Sequence, residues 1–420
     1  MKDLAHTAAP TPAPQPALAG HAAPDAPTLQ VTLAGQVSTV RWLSETGAPP
    51  PKTVVLADDT ISADRAYRLA CEGTGLLWQG DFQNARQLLQ ALGRRMDKRQ
   101  QRTTGPAGGH ASAVPDITQT FHLHRKAQAE RARILSRVLI PLEADHGIPL
   151  RRAPDVRQAC TEAYGPPTGP AVVPLRELQG VVGAHEWRKK GVPVAALGGA
   201  HIHPHHGVFS PVRGEYLDLV AQAPLPAALT QAGLQASAWD IGTGTGVLAA
   251  VLLRRGVPQV VATELAPRAL ACADDNLRRL GLRDRVRLTA CDLFPPASEG
   301  ASALIVCNPP WLPGKPSSAV EQAIYDPDHR MLRGFLNGVG ARLAPGGEAW
   351  LILSDLAEHL GLRPPGQLQQ WIEQAGLQVL GRLDTRPRHG KAHDREDPLY
   401  AARSRELTSL WRLNAVARSA

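Results

Sequence analysis

A short stretch of this sequence, "VCNPPWLP" over residues 306–313, brings together groups that could hold a planar NH₂ group. The apolar run Ala303–Val306 predicts a buried strand, and the stretch ends it with an amide, two prolines and a large aromatic ring. Neither proline can donate a ladder hydrogen bond, so the strand cannot continue through them. We therefore expect a stiff turn that presents the Asn308 side chain and the Trp311 ring at the carboxyl end of a strand.

The chemistry of such a turn follows from the weakness of a planar nitrogen as a nucleophile, because its lone pair is delocalised. A site can help by accepting both N–H hydrogen bonds, here at the Asn308 side-chain carbonyl and the Pro309 backbone carbonyl. Those bonds favour a tetrahedral nitrogen and aim its lone pair, which is catalysis by positioning. Pro310 stiffens the turn, and Trp311 offers a ring on which a flat group can stack. The four residues Asn308, Pro309, Pro310 and Trp311 are predicted as catalytic, and a purely structural turn is the alternative.

A second signal is the loop "GTGTG" over residues 242–246, which lies between an expected strand and an expected helix. Glycines there permit a tight turn and a close approach of a ligand to the backbone, and the helix N-terminus offers free N–H groups. A dinucleotide fingerprint requires Gly-x-Gly-x-x-Gly. Here the third glycine comes one position early and residue 247 is Val, so the paired phosphates of NAD are not the favoured ligand.

Further polar residues follow successive expected strands. Glu264 is placed to accept the hydroxyls of a ribose, and Asp292 could accept the amine of an adenine. Because the carboxyl ends of parallel strands meet at one edge of an open α/β sheet, where such folds bind ligands, these ends should lie together. An α/β domain without a cofactor is the structural alternative. The predicted cofactor-binding residues are Asp240, Gly242, Thr243, Gly244, Thr245, Gly246, Glu264, Asp292, Leu293 and Asn308.

The elements that must position these residues alternate strictly in the second half of the chain, which predicts parallel strands with helices on both faces. Strands are expected at Ala238–Ile241, Val260–Glu264, Val286–Cys291, Ala303–Cys307, Glu348–Ser354, Leu377–Leu383 and Leu407–Leu413. Helices are expected at Val247–Arg255, Pro267–Leu280, Arg330–Leu343 and Gln367–Ala375. The last two strands have no helix between them, so they should form an antiparallel pair at one edge of a seven-stranded sheet.

The first half of the chain predicts a different organisation. Residues 1–28 are rich in Ala and Pro and have little to bury, which predicts a disordered tail. Residues 29–190 predict a mostly helical substrate-recognition domain with a small β element, including a loop over residues 105–116. Residues 191–206 predict a β-hairpin linker, because two short runs flank a Gly-Gly turn. Residues 207–420 then form the α/β domain.

Composition constrains the class of protein and its surroundings. The chain has 420 residues, 43% of them apolar and 20% charged, which is typical of globular proteins. Five cysteines without disulfide spacing favour a cytoplasmic protein, and no apolar run approaches the ~20 residues of a membrane span. The net charge of +8 permits binding to nucleic acid or a ribosome. Because the basic residues are distributed along the sequence, solvated helix faces are the simpler interpretation.

The strand-end residues resemble those of class I S-adenosylmethionine-dependent methyltransferases over residues 205–413. The layout is further similar to the HemK-like protein-glutamine methyltransferases, which share a GTGTG loop, Asn-Pro-Pro-aromatic and a Tyr-Glu-Pro that residues 325–327 (Tyr-Asp-Pro) echo. Residues in comparable positions are Gln179, Gly183, Pro211, Arg213 and Glu215. The chain departs from that family in having Trp311 instead of Tyr, a longer N-terminal domain, and "SDLAEHLGLR" after the fifth strand.

The resemblance implies S-adenosyl-L-methionine as cofactor and N-methylation of a macromolecule that is not a membrane component. A glutamine of a translation protein is the favoured acceptor. An adenine or guanine amine of RNA or DNA remains open, because base-modifying enzymes share the turn, and a non-catalytic ribosome or RNA adaptor is a third hypothesis. "HIHPHH" over residues 201–206 could bind a metal through His201, His203, His205 and His206, but the favoured role is that residues 203–207 shape the approach to the acceptor pocket. Glu186 and Asp355 could accept a proton, although no dedicated base is expected.

Overall fold

The computed structural model describes residues 27–33, 36–104, 116–212, 214–231, 236–388, 390 and 393–416. Apart from residues 27 and 28, the tail expected over residues 1–28 lies outside them. Apart from Asp116, so does the loop expected over residues 105–116.

The N-terminal domain is built on a six-stranded sheet. Its strands are β1 (Thr28–Leu33), β2 (Gln36–Trp42), β3 (Val54–Ala57), β4 (Gly75–Trp78), β5 (Val138–Leu142) and β6 (Ala171–Pro174). They lie in the order β1-β2-β6-β5-β4-β3, with antiparallel pairs β1/β2 and β5/β6 and parallel pairs elsewhere. The helices that cover this sheet are α1 (Ala63–Glu72), α2 (Phe82–Thr104), α3 (Ile117–Leu135), α4 (Arg157–Tyr164) and α5 (Leu175–Lys190).

The prediction of a mostly helical domain with a small β element is therefore wrong in its architecture. Helical residues outnumber strand residues, but the domain is organised on a six-stranded sheet. The expected long helix ends at Leu135, and the apolar run Val138–Leu142 that follows it is a strand. A short run buried on both faces has no alternation, so periodicity alone cannot distinguish it from a helix.

The expected β-hairpin is present as β7 (Val192–Pro193) paired antiparallel with β8 (His201–Ile202). Its turn contains Gly198 and Gly199 with φ of 69° and 83°. Only glycine adopts this left-handed region without steric cost, which explains why the predicted turn contains a Gly-Gly pair.

The second domain contains a seven-stranded sheet with helices on both faces. Its strands are β9 (Ser237–Ile241), β10 (Gln259–Glu264), β11 (Val286–Ala290), β12 (Ser302–Cys307), β13 (Leu343–Ser354), β14 (Leu377–Thr385) and β15 (Thr408–Ala415). The order is β11-β10-β9-β12-β13-β15-β14, and β15 runs against both of its neighbours. Strands β9 and β12 are almost entirely buried, and β13 is buried from Gly347 onward, as expected for parallel strands covered on both faces.

The helices of this domain are α6 (Glu215–Gln222), α7 (Ala227–Gln231), α8 (Val247–Arg254), α9 (Pro267–Arg279), α10 (Arg330–Val339), α11 (Leu356–His359), α12 (Gln367–Gln374) and α13 (Tyr400–Arg403). The sequence predicted four of them, α8, α9, α10 and α12, and each begins within one residue of its predicted start. The prediction of an α/β domain with alternating strands and helices is confirmed. Among the residues that the structure describes, no helix is long and apolar enough to cross a membrane.

Helix α3 joins the two domains. Near its start, the Phe121 ring is buried in an apolar cluster of the second domain, and the Thr118 hydroxyl donates to the Leu360 carbonyl at 2.9 Å. Near its end, Leu135 is part of the N-terminal core. A second junction lies at α9, where Arg268 donates to Glu45 at 2.9 Å and to the Ala163 carbonyl at 2.7 Å.

Candidate functional site

Four neighbouring strands bring the predicted site residues to one edge of the sheet. Strands β11, β10, β9 and β12 lie side by side and parallel, so their carboxyl ends meet there. Asp292 follows β11, Glu264 ends β10, the glycine loop (residues 242–246) follows β9 and Asn308 follows β12. The prediction that these four strand ends lie together at one edge of the sheet is therefore confirmed.

The glycine loop is fixed by its backbone. The amides of Gly242 and Thr243 both donate to the Thr263 carbonyl at 2.9 Å, and the Gly246 amide donates to the Thr243 carbonyl at 2.9 Å. All three glycines have positive φ, with values of 72°, 56° and 80° along the loop. This conformation is strained for any residue with a Cβ atom, which accounts for the glycine spacing.

The three glycines differ in what a side chain would meet. A Cβ atom on Gly242 would lie 2.7 Å from the Met331 methyl group, and one on Gly246 would lie 3.3 Å from Ala273. A Cβ atom on Gly244 would meet no heavy atom of the described structure within 4 Å. The loop therefore offers open space at Gly244, which is where a cofactor can approach the backbone.

Asp240, which was predicted to bind the cofactor, lies beneath the glycine loop, and its contact with a cofactor stays a prediction. Its side chain is fully buried, and its Oδ2 atom accepts from the Thr243 hydroxyl at 2.6 Å and the Ala249 amide at 3.0 Å. Burial raises the pKa of this carboxyl to about 6. These two hydrogen bonds show that Asp240 supports the loop from beneath. The Thr243 and Thr245 side chains are also buried, so they too shape the loop.

Glu264 links the second strand to the loop. Its Oε2 atom accepts from the Gly244 amide at 3.1 Å, and its Oε1 atom accepts from the amides of Leu265 at 2.8 Å and Ala266 at 3.0 Å. The carboxylate is half-buried beside the open space at Gly244. A carboxylate beside an open backbone cradle fits the ribose of a nucleoside cofactor, since Oε2 retains a lone pair for a hydroxyl.

Asp292 carries an ion pair with Arg330, the first residue of α10, which the sequence did not predict. Its side chain is about half exposed, and its contact with an adenine stays a prediction. The next residue, Leu293, has a φ of 62°, and its carbonyl accepts from the Thr263 hydroxyl at 2.6 Å. This bond holds the end of β11 against β10.

The Asn-Pro-Pro-Trp turn forms an internal hydrogen bond that only the structure reveals. The Trp311 indole Nε1 donates to the Asn308 Oδ1 at 2.9 Å. Asn308, Pro310 and Trp311 are half-buried, whereas Pro309 is buried. The Trp311 ring packs against the apolar clusters on both faces of the sheet. The bond fixes the orientation of the Asn308 amide and leaves one lone pair of its oxygen for an N–H group.

The chain after this turn returns to the same site. The Leu312 amide donates to the Ile324 carbonyl at 3.1 Å, and the Asp326 amide donates to the Leu312 carbonyl at 2.8 Å. The buried Asp326 carboxylate accepts from the Met331 amide at 2.9 Å and the Leu332 amide at 3.0 Å, at the start of α10. The Tyr-Asp-Pro segment (residues 325–327) thus anchors the start of α10, and Met331 of this helix contacts the glycine loop.

A side chain of the N-terminal domain packs against the segment that follows the Asn-Pro-Pro-Trp turn. The Arg125 guanidinium of α3 lies over the Tyr325 ring, 3.8 Å from its centroid, and donates to the Lys315 carbonyl at 3.0 Å. It also lies 3.6 Å from Glu321. Sequence reasoning missed this contact because the partners are about 200 residues apart and no local pattern marks them.

The run of histidines lies at the domain junction. His205 Nε2 lies 3.3 Å from Asp275, and His206 Nδ1 lies 3.4 Å from Glu45 of the N-terminal domain. His203 donates its backbone amide to Asn276 at 2.7 Å. In the described part of the chain, no group of three or more His, Cys, Asp or Glu side chains could hold a metal ion. The contacts favour an anchoring role for this run.

The remaining predicted residues are spread over several elements. Gln179 and Gly183 lie on α5, the buried Glu215 begins α6, and Pro211 is buried just before it. Arg213 lies outside the described residues. Of the two residues considered as proton acceptors, Glu186 is exposed on α5, and Asp355 accepts from the Leu407 amide at 2.8 Å.

Comparison with known proteins shows what the second domain is similar to. Residues 199–360 match the family model described as "Methyltransferase small domain". A release factor glutamine methyltransferase of Cereibacter sphaeroides is 33% identical over 169 residues, which cover 36% of this chain and 58% of that protein. A tRNA1(Val) (adenine(37)-N6)-methyltransferase of Cytophaga hutchinsonii is 31% identical over 120 residues, which cover 27% and 50%. The chain thus spans about half the length of these curated relatives.

Among solved structures, a geranyl diphosphate C-methyltransferase from Streptomyces coelicolor is similar with a TM-score of 0.33 and 16% identity. The match covers 45% of this chain and 74% of that protein. The family match and the sequence relatives confirm the expected resemblance to HemK-like class I methyltransferases, with S-adenosylmethionine as the cofactor of that domain.

Proposed function

We propose that this chain, whose residues 199–360 form a methyltransferase domain, transfers the methyl group of S-adenosylmethionine to a planar NH₂ group of a macromolecule. The cofactor supplies an electrophilic methyl group. The cofactor would lie at the carboxyl edge of the sheet, in the open space at Gly244, where the glycine loop and Glu264 would hold it.

The observation that carries the proposal is the hydrogen bond from Trp311 to Asn308 beside the glycine loop. It fixes the Asn308 amide so that the free lone pair of its oxygen can accept an N–H group of the acceptor. The Pro309 carbonyl would accept the second N–H group, since proline stiffness holds it in place. Fixed acceptors of this kind align the nitrogen lone pair without reorganisation during the reaction.

The first candidate acceptor is a glutamine side chain of a translation protein. Relatives that are named release factor glutamine methyltransferases support it, with identities of 33% and 34%. A primary amide supplies two N–H groups on one planar nitrogen, which suits two fixed acceptors.

The second candidate is the exocyclic amine of a base in RNA. Relatives named as adenine-N6 methyltransferases of tRNA support it, with 31% identity for two of them. The positive net charge of the chain also favours a polyanion. An adenine amine presents the same planar NH₂ geometry, and its ring could stack on Trp311.

The experiment is incubation of the protein with methyl-labelled cofactor and a cell lysate, followed by separate protease and nuclease digestion. Label that protease removes and that chromatography locates on glutamine supports the first candidate. Label removed only by nuclease supports the second. Absence of label in both fractions, with cofactor binding intact, would refute transferase activity and favour a non-catalytic adaptor.

A further inference from the structure

We propose that helices α2 and α3 of the N-terminal domain form a docking surface for the phosphate backbone of RNA. These helices lie side by side. The Arg131 guanidinium of α3 donates to the Gly93 carbonyl of α2 at 3.2 Å and forms an ion pair with Asp97 of α2. We call them the α2–α3 pair.

The α2–α3 pair carries the positive charge of the whole protein. Its two helices contain ten Lys and Arg residues and two Asp and Glu residues. The resulting net charge of +8 equals that of the entire chain, so the remainder is electrically balanced. The even distribution suggested by the sequence is therefore misleading, since two helices of one domain hold all of the excess.

Part of this charge is satisfied within the protein. Arg95 pairs with Asp64 of α1, and Arg131 pairs with Asp97. Arg86 is exposed without an ion pair and donates to Gln83 at 3.0 Å. Four more basic residues are exposed and form no ion pair with another described residue; they are Arg94, Lys98, Lys126 and Arg133. They are available to an external anion.

The helical spacing aligns these side chains in two pairs, one on each helix. Arg94 and Lys98 are one turn apart on α2, on the side opposite the buried Leu88, Leu89 and Leu92. On α3, Lys126 and Arg133 are two turns apart, so they share one face. Like charges one turn apart destabilise an isolated helix, and a bound polyanion would reverse this effect.

The composition of this surface favours a nucleic acid over a protein partner. Protein interfaces have apolar or aromatic anchors at their centre and are depleted in Lys. A nucleic acid instead binds through many Lys and Arg contacts to phosphates, with release of condensed counterions.

The position of the pair favours RNA over duplex DNA, an argument that rests on the proposed function. The same α3 presents Arg125 and Phe121 to the loop that follows the Asn-Pro-Pro-Trp turn. A backbone bound along α3 would therefore continue towards the acceptor site. RNA loops present unstacked bases, whereas a base in a DNA duplex must first be extruded from the stack. The phosphate contacts themselves do not depend on methyl transfer.

The test compares two variants of the full chain that have the same net charge. One carries R94Q, K98Q, K126Q and R133Q, and glutamine is used because it preserves helix propensity. The control carries four exposed basic residues of other surfaces changed in the same way, namely K52Q, R176Q, K190Q and R254Q. The probe is a fluorescein-labelled RNA stem-loop, and its binding is measured by anisotropy from about 0.05 to about 0.4 M salt. Over this range the Debye length shortens, so interactions between exposed charges are increasingly screened.

We expect wild-type protein and the control variant to bind the RNA with similar affinity and salt dependence. Each phosphate contact adds about 0.7–0.9 to the slope of log affinity against log salt, so loss of four contacts reduces the slope by about 3. At 0.1 M salt this corresponds to a loss of affinity of about a thousandfold, or about 25-fold if only two of the four meet phosphates. Equal effects in the two variants would overturn the proposal, because only total charge would then matter.

Two further measurements separate this proposal from the function of the site. Calorimetric binding of S-adenosylhomocysteine should be unchanged in the α2–α3 variant, which also shows that the variant is folded. Equal or tighter binding of a DNA duplex of matched length would refute the choice of RNA. RNA binding that depends on the four residues, without transfer of methyl to RNA, would support the docking surface and refute only the nucleic-acid acceptor.

Discussion

Substitution of Gly244 by alanine tests the cofactor site most directly, because this glycine alone in the loop faces open space. Alanine at Gly242 would collide with Met331, and alanine at Gly246 would press on Ala273, so both would disturb packing whether or not a ligand binds. At Gly244 the substitution adds only the strain of a left-handed residue, about 1–2 kcal/mol, and a methyl group in the ligand's path.

Gly281 supplies a matched control. Its φ is 66°, compared with 56° for Gly244, and a Cβ atom there also meets nothing within 4 Å in the described structure. It lies just beyond the C-terminal end of α9, at the edge of the sheet opposite the site. The two alanine variants should therefore lose similar free energy of unfolding, measured by denaturant titration.

Only the Gly244→Ala variant should lose affinity for S-adenosylhomocysteine in calorimetry. An unwanted methyl group in a packed contact costs about 1–3 kcal/mol, which corresponds to a dissociation constant raised about 5- to 150-fold. Gly281→Ala should retain the wild-type constant. Wild-type affinity in Gly244→Ala, or an equal loss in Gly281→Ala, would refute the assignment of this loop to the cofactor.

Other outcomes follow from the same geometry. Asn308→Ala should lower turnover about a hundredfold or more while S-adenosylhomocysteine still binds, as for removal of one group that stabilises a transition state; undiminished label transfer would make Asn308 structural. Trp311→Phe keeps a ring but removes the donor to Asn308, so kcat/KM should fall by about 2- to 13-fold, the equivalent of 0.5–1.5 kcal/mol. Glu264→Ala should weaken cofactor binding by about 1.5–3 kcal/mol, measured by calorimetry, since three backbone amides lose a charged acceptor. Asp240 has a folded pKa of about 6, above its unfolded value, so the folded state holds an extra proton between about pH 4 and 6. Its contribution to the free energy of unfolding should therefore fall by about 3 kcal/mol as pH rises through this window, and Asp240→Asn should flatten that part of the stability profile.

The parts that sequence reasoning predicted are those that local patterns encode. The strand that ends at Glu264 was expected at Val260–Glu264 and is found at Gln259–Glu264, because a buried run followed by a helix start is a strong local signal. The parts that it missed depend on distant partners. The Arg330 ion pair to Asp292, the Arg125 contact with Tyr325 and the complete burial of Asp240 are properties of tertiary packing, which a pattern along the chain does not contain.

The sharing of α3 by two hydrophobic cores has a consequence for how the protein unfolds. Removing α3 would uncover an apolar surface of the second domain, formed by Leu312, Leu356, Ala357, Leu360, Leu399 and Ala402. Soluble monomers rarely expose contiguous apolar patches of large area, so a fragment of residues 191–420 would retain all seven strands of its sheet and yet tend to aggregate. The boundaries suggested by the sequence therefore do not delimit cooperative units. Because one helix completes both cores, the two domains should melt in a single transition.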